Sequence, residues 1–223
     1  MKYRHELKQE IDYGDMLILR QRLSTVLKRD SYAINGKYEI RSLYFDNAND
    51  KALREKIDGV NIREKFRIRY YNRDSSFIKL EKKSKINGLC LKENVCLTKE
   101  QTQAIINGDC NWMMNSDSPL VNELYIKMKH QGLRPQTIVD YTREPFVYAP
   151  GNVRVTLDYN IRTGMSCTNF LDASCVTVPA GDTRVVLEVK WDEYLPDIIR
   201  DIIQLKNSHA GAFSKYAACR IYG

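Results

Sequence analysis

Apolar and polar residues alternate along several stretches of this chain, which is typical of β-strands with one buried face. Other stretches repeat apolar residues at helical spacing, as Met16, Leu19 and Leu23 do. Eight strands are predicted: Tyr3–Glu10, Tyr38–Phe45, Val60–Tyr71, Phe77–Lys83, Leu89–Leu97, Gln136–Tyr148, Val153–Ile161 and Thr183–Trp191. Five helices are predicted: Asp15–Lys28, Ala48–Ile57, Thr98–Asn107, Ser118–Gly132 and Pro196–Lys206.

Turn signals support this division of the chain. Asn72–Ser76 separates two predicted strands, and Asn87-Gly88 is a strong hairpin dipeptide. Thr98 and Gln101 have the spacing of a capping box. Interspersed helices and many strands indicate an α+β fold built on an antiparallel sheet or a closed barrel. The 223 residues contain no internal repeat and no linker-like stretch, so one domain over residues 1–223 is predicted.

Charged residues recur on one face of several predicted strands. Residues i and i+2 of a strand point to the same side, about 6.6 Å apart. This rule groups the following polar positions, each set opposite an apolar face: Glu6 and Lys8; Lys65, Arg67 and Arg69; Lys79, Glu81 and Lys83; Arg154, Thr156 and Asp158; Glu188 and Lys190. A solvated face explains any single strand. Like charges on neighbouring strands repel, however, unless an anion lies between them.

The overall charge also favours an anionic partner. Lysine and arginine total 35 against 28 acidic residues, which gives a net charge of +7. Nucleic acid, a phosphorylated small molecule and an acidic membrane surface all fit this excess. Glu188 needs its own explanation, because a carboxylate repels phosphate unless Mg²⁺ or Mn²⁺ bridges the two. A salt bridge to a neighbouring arginine is the alternative for Glu188.

The cysteines and histidines argue against one kind of metal site, and the apolar residues bear on where the protein is located. The six cysteines form no CxxC pair and there are three histidines, so zinc-site spacing is absent. We interpret the cysteines as reduced and structural, with a thiol nucleophile left open. No run approaches 18 apolar residues, and the first residues, MKYRHELKQEIDY, lack the apolar region of a secretory signal. A cytoplasmic protein is therefore expected.

Eight segments follow one another in the order seen in one protein family. They are Arg4–Lys8, Ile40–Asp46, Lys65–Tyr71, Leu80–Lys83, Tyr141–Phe146, Val153–Asp158, Leu187–Lys190 and Ser214–Tyr216. Together, from about Lys2 to Arg220, they resemble the catalytic domain of the vacuolar transporter chaperone (VTC) polyphosphate polymerases. That family lies in the triphosphate tunnel metalloenzyme, or CYTH-like, superfamily.

The resemblance implies a closed antiparallel β-barrel of about eight strands with flanking helices, whose tunnel holds triphosphate or polyphosphate. It implies catalytic roles for Lys8, Arg67, Arg69 and Glu188. It implies substrate binding by Lys83, Lys92, Tyr141, Arg143, Arg154, Ser214 and Lys215. Glu188 and Glu6 would hold Mn²⁺ or Mg²⁺. Lys92, Ser214 and Lys215 rest on the resemblance alone, since no spacing argument placed them.

The implied activity is transfer of the terminal phosphoryl group of ATP to a polyphosphate chain. The hydrolytic branch of the superfamily carries an ExExK signature on its first strand, and Arg4 stands here at the first glutamate position. This departure favours the polymerase-like branch over a tripolyphosphatase or nucleoside triphosphatase. A non-catalytic polyphosphate- or inositol-phosphate-binding module is a further alternative.

The expected partners follow from the same resemblance. They are ATP, triphosphate or polyphosphate. A membrane-protein partner in trans is a further expectation, because the eukaryotic enzymes of the family carry membrane spans. An RNA- or DNA-binding barrel is disfavoured. Its stacking platforms need rows of exposed aromatic residues, whereas the basic positions here alternate with apolar core residues.

Overall fold

Long strands with alternating side chains build one antiparallel sheet that dominates the chain. The computed structural model describes residues 4–181, 184–205, 209–210 and 213–221. The strands in these residues are β1 (His5–Ile11), β2 (Lys28–Arg29), β3 (Tyr38–Asp46), β4 (Ile62–Tyr71), β5 (Asp74–Ile86), β6 (Leu89–Leu97), β7 (Arg134–Tyr148), β8 (Val153–Thr163), β9 (Val178–Pro179), β10 (Val185–Trp191) and β11 (His209–Ala210). The helices are α1 (Tyr13–Val26), α2 (Lys51–Ile57), α3 (Lys99–Asn107), α4 (Pro119–Gln131), α5 (Asp197–Ile202) and α6 (Lys215–Ile221).

The strand order shows how the sheet curves. It runs β11-β1-β10-β8-β7-β3-β4-β5-β6, with β2 added to β7 and β9 to β8. β1 and β6 lie near opposite ends of this order, yet an isolated bridge joins Arg4 to Cys90 on β6. The sheet must therefore curl until its ends meet. The predicted α+β antiparallel fold is confirmed, whereas no continuous hydrogen-bonded ladder closes the barrel within the residues described.

The eight predicted strands correspond to the eight long strands, with shifted ends. β5 begins at Asp74 rather than Phe77, because Asn72 and Arg73 both adopt positive φ angles, 53° and 58°, in a tight two-residue turn. The separate two-residue strands were not predicted, since such short pairings leave no sequence pattern. Four boundary residues of the predictions lie outside the described residues: Lys2, Tyr3, Thr183 and Lys206.

Helix ends are set by local hydrogen bonds. The predicted capping box is present: the Gln101 amide donates to the Thr98 hydroxyl at 3.1 Å, and the Thr98 amide donates to the Gln101 side chain at 2.9 Å. α1 begins before the predicted Asp15, because the Asp12 side chain caps it and accepts from the Asp15 amide at 2.7 Å. α2 begins later than the predicted Ala48.

Two helical layers cover the apolar outer face of the sheet. Ile105 of α3 and Leu124 of α4 belong to one buried cluster with Phe66 and Leu80 of the sheet. α1 and α5 pack on the other side of the curve, over β8 and β10. The apolar face of each strand is therefore used by helices, and the polar face is left to point inward. Among the described helices, none is both long and apolar enough to span a bilayer.

The last helix docks onto the sheet through stacked tyrosines. The ring of Tyr216 on α6 stacks on Tyr44 of β3 with centroids 5.1 Å apart. The Tyr216 hydroxyl donates to the Asp46 carboxylate at 2.8 Å. Burial and this carboxylate raise the pKa of Tyr216 far above its usual value, so the hydroxyl stays a donor. This contact carries the residues preceding the helix, Ser214 among them, towards the inside of the sheet.

The turn between β7 and β8 requires glycine at position 151. Gly151 has a φ of +70°, and a Cβ there would lie 2.6 Å from the backbone oxygen of Tyr194. We predict that Gly151→Ala lowers the free energy of unfolding by about 2–4 kcal/mol, from the left-handed backbone together with the clash. Gly59→Ala is the matched control, since Gly59 has a φ of +71° and open space around it. Urea unfolding should give the control a loss of about 1–2 kcal/mol; equal losses would contradict the close approach.

Candidate functional site

The inward-pointing polar faces surround a cavity of about 330 Å³. Each of the eight long strands contributes at least one lining side chain. Phe213 and Ser214, which precede α6, and Lys215, its first residue, line the cavity as well. The charged lining residues are Arg4, Glu6, Lys8, Lys65, Arg67, Arg69, Glu81, Lys83, Lys92, Arg143, Arg154, Glu188, Lys190 and Lys215. Successive side chains of a strand point to opposite faces of the sheet. The charged side chains on the inner faces of the strands therefore converge on the cavity.

All twelve residues assigned to a site from the sequence line this cavity: Glu6, Lys8, Arg67, Arg69, Lys83, Lys92, Tyr141, Arg143, Arg154, Glu188, Ser214 and Lys215. Lys92, Ser214 and Lys215, which had no spacing argument, are among them. Lys79, grouped with the polar face of β5, does not line the cavity. Asp158 lies behind the wall and is fully buried. The geometry thus brings the predicted set together, while the role of each residue stays a prediction.

Positive charge dominates the cavity. Eleven lysine and arginine side chains face three glutamates, a formal excess of eight. A concave protein wall focuses such a charge, because less solvent screens it there than on an open surface. The cavity is therefore suited to an anion with several charges. The three glutamates among these cations are explained by the lysine and arginine side chains that each of them contacts.

Glu81 on β5 neutralises a first group of cations. Its carboxylate lies 2.6 Å from Arg67 Nη2, 2.5 Å from Lys92 Nζ and 3.8 Å from Arg69 Nη1. Burial would raise the pKa of Glu81, but these three charges outweigh it and hold the pKa far below its usual value. Glu81 is therefore ionised at neutral pH and links β4, β5 and β6.

Glu6 on β1 ties the two ends of the curved sheet together. The Lys83 amine on β5 donates to it at 2.7 Å, although β1 and β5 are not neighbours in the sheet. Lys8 and Lys190 lie 3.2 and 3.5 Å from the same carboxylate. Burial and nearby Glu188 would raise the pKa of Glu6, but the three lysines lower it to about 2. The ion pair thus spans the gap that the backbone ladder leaves open.

Glu188 on β10 shares a cation with Glu6. Lys190 Nζ lies 2.6 Å from the Glu188 carboxylate and Arg143 Nη2 lies 3.4 Å from it. Burial opposes ionisation, yet the surrounding cations hold the pKa of Glu188 well below its usual value. The salt bridge considered for Glu188 from the sequence is thus present, with a lysine as the nearer partner. Both glutamates are ionised oxygen donors at neutral pH.

Asp158 on β8 fixes the third group. Arg143 donates to its two oxygens at 2.6 and 2.7 Å, a bidentate pair, and Lys215 Nζ lies 2.5 Å away. Lys215 belongs to α6, so this carboxylate holds the last helix against the sheet. Burial would raise the pKa of Asp158, but the two cations lower it. Sequence reasoning placed Asp158 on the polar face but gave it no role.

The paired arginines of β4 are held by neutral groups as well. Arg69 is almost fully buried and donates to the Ser42 hydroxyl at 2.9 Å and to the Tyr141 hydroxyl at 2.8 Å. Arg67 donates to the Tyr44 hydroxyl at 2.7 Å. Partners on both β3 and β7 fix the two guanidinium groups before any ligand arrives. Such preorganisation reduces the entropy lost on binding.

Tyr44 is the lining residue that sequence reasoning missed most clearly. Burial would raise the pKa of its phenol, but Arg67, Lys65 and Arg69 lower the pKa to about 7. The signal available was position: Tyr44 lies two residues after Ser42, so the two side chains share a face of β3. An aromatic residue at such a position suggests core packing, and only the cations of the neighbouring strand give it another role.

The donor set fits a hard divalent cation. Within the residues described, no group of three or more His, Cys, Asp or Glu side chains could hold a metal ion by itself. Glu6 and Glu188 nevertheless offer two ionised carboxylates connected through Lys190. Mg²⁺ is commonly bound by one or two carboxylates together with substrate phosphates and water. The residues present therefore fit an ion that arrives with a phosphate ligand.

Comparison with family models identifies the chain. The model of the VTC domain matches residues 3–221. The chain belongs to the VTC domain family. The resemblance drawn from the eight ordered segments is thereby confirmed over nearly the whole sequence. A search of curated proteins found no match to this VTC domain.

Solved structures similar to this VTC domain are distant in sequence. A Bacillus halodurans protein provisionally assigned as an adenylate cyclase has 12% identity and a TM-score of 0.48, covering 85% of this chain and 82% of that one. A Pyrococcus horikoshii protein has 13% identity and a TM-score of 0.45, covering 90% and 85%. A Vibrio parahaemolyticus protein, also provisionally assigned as an adenylate cyclase, has 11% identity and a TM-score of 0.44, covering 90% and 82%. At these values the likeness carries no argument about activity.

Removing the buried carboxylate of Glu81 should destabilise this VTC domain. We predict that Glu81→Gln lowers the free energy of unfolding by about 3–5 kcal/mol, since buried cations lose their counter-charge. Glu93→Gln is the matched control, because Lys82, its partner at 3.7 Å, keeps Glu64 and Glu123. The control should change stability by less than about 0.5 kcal/mol in denaturant unfolding. Equal effects of the two changes would contradict the role of Glu81.

Proposed function

We propose that this VTC domain is a metal-dependent polyphosphate polymerase that transfers the terminal phosphoryl group of ATP to a polyphosphate chain. The observation that carries the proposal is the convergence of eleven cationic side chains, from seven strands, the residue before β1 and helix α6, on one cavity. Membership of the VTC domain family supports the same reading. A chain of phosphates is a ligand whose repeated charge matches such a lining.

Phosphoryl transfer suits a site of this kind. The reaction asks the protein mainly to position the phosphates and to neutralise developing charge. Arg67 and Arg69 are fixed by buried partners, so their guanidinium groups need little reorganisation when a phosphate binds. Hydrogen bonds between such cations and phosphate are stronger inside a cavity than on an open surface. The acceptor, a terminal phosphate, is already anionic and requires no general base.

Under this proposal, the residues that line the cavity have different roles. Lys8, Arg67 and Arg69 would contact the reacting phosphates. The remaining chain would be held by Lys83, Lys92, Tyr141, Arg143, Arg154, Ser214 and Lys215. Because several of these cations are paired with carboxylates, an incoming phosphate exchanges one counter-charge for another rather than meeting bare cations. The carboxylates thus tune the affinity and allow a product chain to leave.

Glu188 and Glu6 would hold the divalent ion, Mn²⁺ or Mg²⁺. When bound, the ion would draw charge from the phosphate oxygens and so ease the transfer. The two carboxylates are suited to this because their lowered pKa values keep them ionised at neutral pH. Lys190 contacts both and keeps them oriented towards the cavity.

Two other functions share this site. A triphosphatase is less favoured, because Arg4 occupies the position of a carboxylate and pairs with Asp192 at 2.9 Å, which leaves one fewer acidic group to activate water. A polyphosphate-binding module is favoured by a different observation. Glu188 is already paired with Lys190, an arrangement that is satisfied without a metal ion.

ATP as donor is consistent with a cytoplasmic location, which we include in the proposal together with a membrane-protein partner in trans. Neither is needed for the chemistry. The expected ligands of the isolated domain are ATP, triphosphate and polyphosphate, with no nucleic acid.

Incubation of the purified protein with ATP and Mn²⁺, followed by sizing of the phosphate product on a gel, tests the proposal. Long-chain polyphosphate is expected, and Glu188→Gln should reduce its formation roughly 100-fold or more, since a metal-holding carboxylate is lost. Glu39→Gln serves as the control, because Glu39 is exposed and pairs with Arg73 outside the cavity.

The other outcomes of this experiment would assign a different function to the domain or a different role to Glu188. Orthophosphate without polyphosphate would assign a triphosphatase. Polyphosphate binding without turnover in either metal would assign a binding module. Equal turnover of Glu188→Gln and the wild type would show that Glu188 does not hold the metal.

A further inference from the structure

One cation of the cavity differs from all the others. Ten of the eleven lie within 4.0 Å of a carboxylate: Arg4, Lys8, Arg67, Arg69, Lys83, Lys92, Arg143, Arg154, Lys190 and Lys215. Lys65 on β4 is the exception. Across the described parts of the chain, its amine has neither a carboxylate within that distance nor a hydrogen bond. Its nearest aromatic neighbour is the Tyr44 ring, whose centroid is 5.4 Å away.

Lys65 also has a distinctive place. A second cavity of about 320 Å³ adjoins the first, and Lys65 lines both, together with Lys8 and Lys83. The second cavity adds three cations, Lys56, Arg63 and Lys85, and one carboxylate, Glu64. A phosphate chain longer than one cavity would therefore pass Lys65 where the two meet. Of the three lysines at this junction, Lys8 and Lys83 are already paired with Glu6.

The charges that act most strongly on Lys65 come from four strands. They are Tyr44 on β3, Lys8 on β1, Lys83 on β5 and Arg67 on its own strand. Burial and the three cations lower the pKa of Lys65 to about 7, although Tyr44 acts in the opposite direction. Within the described residues, the amine thus lacks a carboxylate partner at a crowded cationic position. An anion placed there would relieve both the burial and the repulsion.

We propose that Lys65 binds a phosphate group of polyphosphate at the junction of the two cavities, and that its amine takes a proton from solvent as the phosphate binds. The inference rests on the proposed polyphosphate-binding function and adds a contact that the family resemblance did not supply. The proton goes to Nζ, which then donates to a phosphate oxygen. The other junction lysines differ, because Glu6 already supports their charged form.

The two parts of the proposal follow from the same geometry. A cation with no carboxylate partner gains more from an anion than one whose carboxylate must be displaced. A bound phosphate also favours the charged form of an adjacent amine. Affinity should therefore fall as the pH rises above about 7, since the neutral amine must first be protonated.

Calorimetric titration with short-chain inorganic polyphosphate tests the proposal. At pH 8, in buffers of different ionisation enthalpy, the wild type should take up about half a proton or more per bound chain. Lys65→Met should bind about 10–100-fold more weakly, the loss expected for one charge-assisted hydrogen bond, and take up less. Lys65→Arg keeps a permanent charge, so it should bind within about threefold of the wild type while the uptake falls and the affinity depends less on pH.

Lys79→Met is the matched control, because Lys79 lies on β5 outside both cavities. It should leave affinity and proton uptake unchanged. If the wild type does not bind polyphosphate, the proposed function itself fails. If it binds and Lys65→Met matches Lys79→Met, the inference about Lys65 fails while the function stands. Unchanged proton uptake in both Lys65 variants would overturn the protonation step.

Discussion

Cations from seven strands can crowd the inside of one sheet only if carboxylates placed among them offset their repulsion. Glu81, Glu6, Glu188 and Asp158 do this, each contacting at least two lysine or arginine side chains. The offset is incomplete, because the lining retains a formal excess of positive charge. Under the proposed function, this balance lets the cavity form without a ligand and still attract a polyanion.

The same carboxylates join parts of the fold that the backbone does not. Glu6 on β1 pairs with Lys83 on β5 across the gap between the ends of the sheet. Asp158 holds Lys215 of α6, and with it the end of the described chain, against β8. The interactions that prepare the cavity for a ligand are therefore also those that complete its wall. A change at one of these carboxylates should affect stability and binding together.

The placement of the site could be predicted because strand alternation is a local property. Once β4 is known to be a strand, Arg67 and Arg69 must share a face opposite Ile68, and the structure agrees. Pairing could not be predicted in this way: Glu6 and Lys83 are 77 residues apart, and nothing in their local sequence selects the partner. The same holds for Lys65, whose lack of a carboxylate partner among the described residues depends on every strand around it. Closure of the sheet was predicted from family resemblance, and the contacts found at its ends are a single bridge and ion pairs.

The most direct test of the account is a crystal structure of this domain grown with inorganic triphosphate. Phosphate groups are expected inside the cavity, with oxygens within hydrogen-bonding distance of Arg67 and Arg69. Triphosphate bound only on the outer surface, with the ion pairs of the empty cavity intact, would contradict it.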